Sequence, residues 1–313
     1  MQRRNFLLTL GSAAACTAFG ARPLLAQAKK GRVLYFTRSV GFEHSPVKRA
    51  GSELGFSEKL LVEWGQEAGF EVECSKDGRV FDQDLDKYDV FAFYTCGDLT
   101  KEDMYGNAPM SADGKQRFLD AIAAGKGFVG FHSAADTFHS AGGRDQVQTE
   151  LDPYIAMLGG EFIVHGRQQE ATMRVTCPKF PGVKEMGEAS RFHEEWYALK
   201  NFAKDMHVIL LQETEGMVDE CYQRPPFPAT WARMHGKGRV YYTSFGHRED
   251  IWTNAKVKSL ILGGFEWALG RADADLTPNL AQVAPRAEEL PKLAPREPKP
   301  KAKAKAKAAK QAN

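Results

Sequence analysis

The chain has 313 residues, of which 43% are hydrophobic, 11% aromatic and 26% charged. This is ordinary globular composition with enough apolar residues for a sizeable core, and it excludes a wholly disordered chain, a collagen-like fibre and a disulfide mini-protein. The formal charge of +2 sums three unlike parts: residues 1–28 hold three arginines and no acid, residues 286–313 hold nine bases against three acids, and the 257 residues between them carry −7. An acidic body argues against nucleic acid as the main partner, because phosphate binding needs clustered lysine and arginine on the folded surface.

At the start, Arg3-Arg4 precedes a mildly apolar run and an Ala26-Gln27-Ala28 cleavage pattern. Paired arginines, a modest apolar region and an Ala-x-Ala site predict a twin-arginine signal peptide over residues 1–28 and export to the periplasm or beyond. Lipidation at Cys16 is the weaker alternative, since a large aliphatic residue is missing ahead of it. Export of a folded protein by this route is consistent with a cofactor loaded beforehand.

The body, residues 29–272, is expected to be one domain. Arg32–Thr37 is β-rich, and the stretch from Gly51 to Ala68 spaces Leu54, Phe56, Leu60, Leu61 and Trp64 as an amphipathic helix does. Phe70–Cys74 and Asp89–Thr95 follow as strands, Ser111 is a plausible N-cap for a helix ending at Gly125, and Gly127–His132 is a buried strand. Further strands are expected at Ala171–Cys177, His207–Gln212, Pro228–Met234 and Gly238–Ser244, with a closing helix at Asn254–Leu269. Alternating strands and helices predict an α/β fold, a doubly wound and mostly parallel sheet with helices on both faces. From Pro285 onward Pro, Lys and Ala dominate, so residues 273–313 are expected to form a disordered basic tail, solvated or in weak contact with an anionic envelope surface.

Ligands of such sheets sit outside the carboxyl ends of the strands, so the residues just after each strand carry the functional argument. They include His44 in Gly41-Phe42-Glu43-His44, Cys96 in Cys96-Gly97-Asp98, and His132 where a strand must turn into Ser133-Ala134-Ala135-Asp136. A strand followed sharply by small residues is the elbow that presents one side chain at the sheet top. His165 ends another apolar run, Glu194-Glu195-Trp196-Tyr197 combines carboxylates with a phenol, and His247 follows Gly246. By strand alternation one of the two glutamates points inward, and Glu195 is the expected one. Four cysteines remain in the body (Cys74, Cys96, Cys177 and Cys221), without the close spacing of a zinc or redox motif; they allow three disulfide pairings, and the sequence does not choose among them.

In this order, these segments resemble a ThuA-like (trehalose-utilisation-type) domain of the class I glutamine amidotransferase-like superfamily. The resemblance spans Arg32 to Gly270 and rests on the segments above together with Trp231-Ala232-Arg233 and Gly236–His247. It implies a flavodoxin-like fold with the amidotransferase elbow, and a carbohydrate ligand such as a disaccharide or a 3-keto-sugar. The elbow holds His132 where an amidotransferase has its nucleophilic cysteine. Glutamine hydrolysis through a thioester needs that thiolate, so no glutaminase activity is expected.

The resulting candidate catalytic set is His44, His132, Glu195 and His247, with Asp136, His165, Tyr197 and Arg233 as candidate substrate-binding residues. Two chemistries fit: acid–base catalysis by His and Glu on a carbonyl or hydroxyl-bearing carbon, or a divalent metal held by His44, His132, His247 and Glu195. Spacings of 88, 63 and 52 residues give no local metal signature. A non-catalytic carbohydrate-binding or scaffold protein is the competing class. Trp64, Trp196, Trp231 and Trp252 are candidates for a stacking platform, although core packing is the simpler role for them.

Overall fold

In the strands around residues 31–36, 90–93, 127–131 and 238–243, apolar side chains alternate between two faces and both faces are buried. A computed structural model describes residues 30–294. Its elements in chain order are β1 (Gly31–Phe36), α1 (Phe56–Ala68), β2 (Phe70–Ser75), β3 (Val90–Phe93), α2 (Ala112–Ala124), β4 (Gly127–Phe131), α3 (Pro153–Leu158) and β5 (Glu161–His165). They continue with β6 (Gln169–Val175), β7 (Ala189–Glu194), β8 (Tyr197–Lys200), β9 (His207–Gln212), β10 (Phe227–His235), β11 (Gly238–Thr243), α4 (Glu249–Trp252), α5 (Ala255–Ala268) and α6 (Leu280–Val283). No helix among these residues is long and apolar enough to cross a membrane.

A nine-stranded sheet runs β2-β1-β3-β4-β11-β10-β9-β6-β7, and β5 pairs separately with β8. Strands β2, β1, β3, β4 and β11 are parallel, as the alternation of strands and helices predicted. From β11 outward the pairing is antiparallel. The reason is local: β10 and β11 are joined by a two-residue turn at Gly236-Lys237, too short for the crossover that parallel strands require.

Val33, Tyr35, Val90, Ala92, Val129 and Phe131 pack with α1 and α5 on one face. Their neighbours Leu34, Phe36, Phe91, Phe93 and Phe128 pack with α2 and α3 on the other. The helix over residues 51–68 begins only at Phe56, with Glu58 accepting from the Gly55 N–H at its start, while Ser111 caps α2 by accepting from Gly114 N. Trp64, Trp196, Trp231 and Trp252 are all buried and belong to the core, so they provide no stacking platform.

The C-terminal boundary needs correction. Residues 273–294 pack on the domain, with Ala284 and Ala287 buried. Asn279 Oδ1 accepts from Val208 N, Glu288 accepts from Phe202 N, and the buried Arg224 guanidinium donates to the Leu199 and Ala287 carbonyls. Composition misleads here because this segment is held by small alanines, a few leucines and polar-to-backbone bonds, none of which needs a continuous apolar face. The remainder of the expected tail, residues 295–313, and the expected signal peptide with Cys16 lie outside the described residues.

Candidate active site

The parallel strands bring the ends of β1, β3, β4 and β11 to one edge of the sheet. Chain order reverses between β1 and β3, where β2 lies on one side of β1 and β3 on the other, and this is where open α/β sheets place their ligands. The loop after β1 supplies His44, that after β3 supplies Cys96, and the one after β11 supplies His247.

His132 stands at the end of β4 with φ +40°, a left-handed conformation uncommon for a residue with a side chain. The expected elbow is therefore present, although it opens into a single 3-10 turn over His132–Asp136 and not a long helix. Its ring is fully buried, Nδ1 lies 3.0 Å from the Ser244 carbonyl, and Tyr242 Oη donates to the His132 carbonyl at 2.8 Å. A carbonyl can only accept, so the Ser244 contact fixes the proton on Nδ1 and leaves the Nε2 lone pair facing the site.

Both glutamates of the Glu194-Glu195 pair are buried, contrary to simple alternation. The strand ends at Glu194, and the bend that follows turns Glu195 to the same side. Glu194 accepts backbone N–H groups from Glu195 (2.8 Å) and Gly246 (3.1 Å), tying two chain segments together; burial pushes its carboxyl up to about 7 against the opposing pull of these bonds. Gly246 has φ +137°, which a residue with a side chain rarely adopts, and its carbonyl accepts from Tyr94 Oη and Trp252 Nε1, so the glycine lets the loop carry His247 inward.

Glu195 is the hub. Its Oε1 lies 3.5 Å from His132 Nε2 and 3.0 Å from His247 Nδ1, and its Oε2 lies 3.3 Å from His165 Nδ1. His44 is buried as well, its ring centroid 5.0 Å from that of His132 and 5.3 Å from that of His247. Desolvation lowers the proton affinity of His44 and of His132, so both imidazoles are neutral at pH 7.

His44, His165 and Glu195 line a cavity of 380 Å³, with Phe42, Cys96, Asp136, Phe162 and Val164 also on its walls. Phe42 is 62% exposed, which places an aromatic face at the mouth. Tyr197 is buried against the His132 ring at a centroid distance of 4.0 Å, with its hydroxyl 3.4 Å from His44 Nε2. Asp136 also borders a second, 190 Å³ cavity that contains His139, Glu161 and Lys200. His139, which no motif marked, bridges Asp136 (2.6 Å) and Glu161 (3.1 Å); burial opposes its protonation, but the two carboxylates prevail and raise it to about 9. Its only signal in the sequence is a histidine three residues after Asp136.

Seven of the eight expected site residues converge here. Arg233 does not. It lies opposite Val240, which pairs with Phe128 near the start of β4, at the far edge of the sheet from His132. Its guanidinium pairs with Asp205 at 3.0 Å and donates to the Ala156 and Met157 carbonyls at the end of α3, which is a structural role. The four body cysteines are all free thiols. Cys96 Sγ donates to Asp136 at 3.2 Å, and burial together with that carboxylate pushes its thiol far above the ordinary value.

A family profile described as "ThuA: Trehalose utilisation" matches residues 32–268. The chain belongs to the ThuA family. Among solved structures, it is similar to a ThuA-like protein from Bacteroides uniformis, with a TM-score of 0.56 and 17% identity over 77% of this chain and 93% of that one. A ThuA-like protein from Parabacteroides merdae matches with a TM-score of 0.52 and 17% identity over 79% and 92%. At that identity the likeness concerns the fold, and it agrees with a flavodoxin-like α/β domain. No curated protein matches significantly. The ThuA domain carries an imidazole, His132, on the strand-end turn after β4.

Proposed function

We propose that this ThuA protein is an exported enzyme that acts on a carbohydrate, a disaccharide or keto-sugar, at a carbonyl or hydroxyl-bearing carbon, and that it does not hydrolyse glutamine. The observation that carries this reading is the contact of one ionised carboxylate, Glu195, with His132, His165 and His247 beneath a cavity of 380 Å³. A solvated binding groove has no need to bury His44, His132 and a carboxylate together beside a partly buried His247, whereas chemistry at a carbonyl uses such groups to move protons or to polarise oxygen. The family's link to trehalose utilisation supports a sugar. So do the exposed Phe42 face at the mouth and the polar Asp136 and His165 beside it, an apolar platform with a few hydrogen-bonding groups. The twin-arginine pattern supports export, and the basic residues after 294 support weak, salt-sensitive contact with an anionic surface.

The test is thermal melting of the protein with a panel of disaccharides and their 3-keto derivatives, followed by product analysis with any sugar that stabilises it. At least one sugar raises the melting temperature. Glu195→Gln keeps that shift and lowers turnover by about 100-fold or more. A shift without turnover in the unaltered protein assigns it to carbohydrate binding instead, and no shift across the panel removes the sugar from the reading.

A further inference from the structure

We infer that His44, His132, His247 and Glu195 form the binding site of one divalent transition-metal ion. One ligand atom from each of the four lies within 4.8 Å of all the others. They come from loops after β1, β4 and β11 and from the bend after β7, so tertiary structure alone assembles them.

Unpartnered nitrogens give the second, independent observation. His132 Nε2 is fully buried without a hydrogen-bond partner, and so is His44 Nδ1. Because the Ser244 carbonyl fixes the proton on His132 Nδ1, the Nε2 lone pair points at Glu195 Oε1 across 3.5 Å. Two lone pairs facing each other in a buried site repel, and a cation between them satisfies both. Buried polar atoms are otherwise almost always paired. The carbonyl behind His132 is also the kind of partner that orients a metal-bound imidazole. The three rings stand at 90°, 90° and 72° to one another with centroids 5.0, 5.3 and 5.4 Å apart, so they surround a common point and do not stack.

The donor set identifies the class of ion. Three imidazole nitrogens and one carboxylate oxygen suit Zn²⁺, Co²⁺, Fe²⁺, Mn²⁺ or Ni²⁺; calcium and magnesium prefer all-oxygen shells, and Cu(I) prefers sulfur. Cys96 lines the same cavity, but its thiol donates to Asp136 and is not one of the four clustered ligand atoms. His44 and Glu195 also line the cavity, so the site has an open side, as catalytic metal sites do and structural ones do not. The inference shares its side chains with the proposed function but is independent of what the substrate is.

The experiment uses the full chain purified without an affinity tag. Its metal content is measured by elemental analysis, and metal-stripped protein is titrated calorimetrically with Zn²⁺, Mn²⁺ and Co²⁺, with the visible absorption of the Co²⁺ form recorded. The expected results are one ion per chain and d–d bands of nitrogen–oxygen coordination. Affinity falls by at least about tenfold in His132→Ala and in His247→Gln, the latter at a partly exposed position that tolerates change. His193→Ala, on the exposed face of β7, keeps full affinity and serves as the surface-histidine control. Circular dichroism and melting of each stripped variant separate loss of ligand from loss of fold. No binding to the stripped native protein overturns the inference. So does unchanged affinity in a folded His247→Gln, or loss of binding in His193→Ala.

Discussion

His139 Nε2 lies 2.6 Å from Asp136 Oδ1, and the other nitrogen of the same ring lies 3.1 Å from Glu161 Oε1, so one half-exposed imidazole is clamped between two carboxylates. Asp136 faces both cavities beside the Glu195 centre, so this clamp fixes the side chain on the wall they share. The imidazole is therefore a cation at neutral pH, with its proton affinity raised to about 9.

A histidine whose folded-state pKa is raised stabilises the fold fully below its unfolded value near 6.5 and loses that contribution as pH rises through the folded value. Stability of the native protein should accordingly decline between about pH 6.5 and 9, and the decline should flatten in His139→Gln. Denaturant melts at closely spaced pH values measure it; identical profiles for the two proteins would refute the clamp.

Glutamine should not be a substrate. Cys96 is the thiol nearest the elbow, yet it is buried, donates its proton to Asp136 and is held far above the ordinary thiol range, so it supplies no thiolate at pH 7. Ammonia release in the presence of glutamine should stay at background for both the native protein and Cys96→Ser. Release that disappears in the serine variant would reinstate cysteine catalysis.

Arg233→Met should weaken the fold and leave the site alone. It removes the partner of two buried carbonyls and of Asp205, a half-exposed carboxylate, at a cost of about 2–3 kcal/mol. Chemical denaturation gives the loss, while the melting shift produced by a bound sugar or metal should match that of the native protein. A selective loss of ligand binding at native stability would return Arg233 to the site.

Two truncations locate the true end of the domain. Removing residues 295–313 should leave the melting temperature within a degree or two, because a run of alternating lysine and alanine offers no apolar face to bury. Removing residues 273–313 should lower it sharply, by about 4–8 °C for each kcal/mol lost in a small domain and about half that in a chain of this size. The second deletion exposes the surface covered by Ala284 and Ala287 and strips buried Arg224 of the Ala287 carbonyl and of nearby Glu288.

Much of the fold was legible because its signals are local. The apolar runs at β1, β3, β4 and β9, the serine cap of α2 and the small residues after His132 each follow from a few neighbouring residues and the sterics of their backbone. The centre is legible in part by position: a residue that follows a strand in a parallel sheet arrives at the same edge as the others, and His44, His132 and His247 each do so. Other features depended on packing between distant segments. Glu194 became a buried tie because the chain bends after β7, and His139 gained its role from Glu161 on β5. Arg233 departs from its expected place because the identity of a residue does not reveal which end of its strand faces the ligand edge, a matter of register against β11 and β4.

The charge balance of the chain also divides along this line. Sequence alone determined that an acidic body lies between basic ends, that the body alternates strands with helices, and that a histidine stands where a strand turns into small residues, since each is a property of composition or of short-range order. Only tertiary structure decided that the basic end begins inside the folded domain, with Ala287 and Glu288 packed against it, and that four side chains separated by 88, 63 and 52 residues face one another. Distances of a few ångströms between residues far apart in the chain are set by sheet order and register, and no local pattern records them.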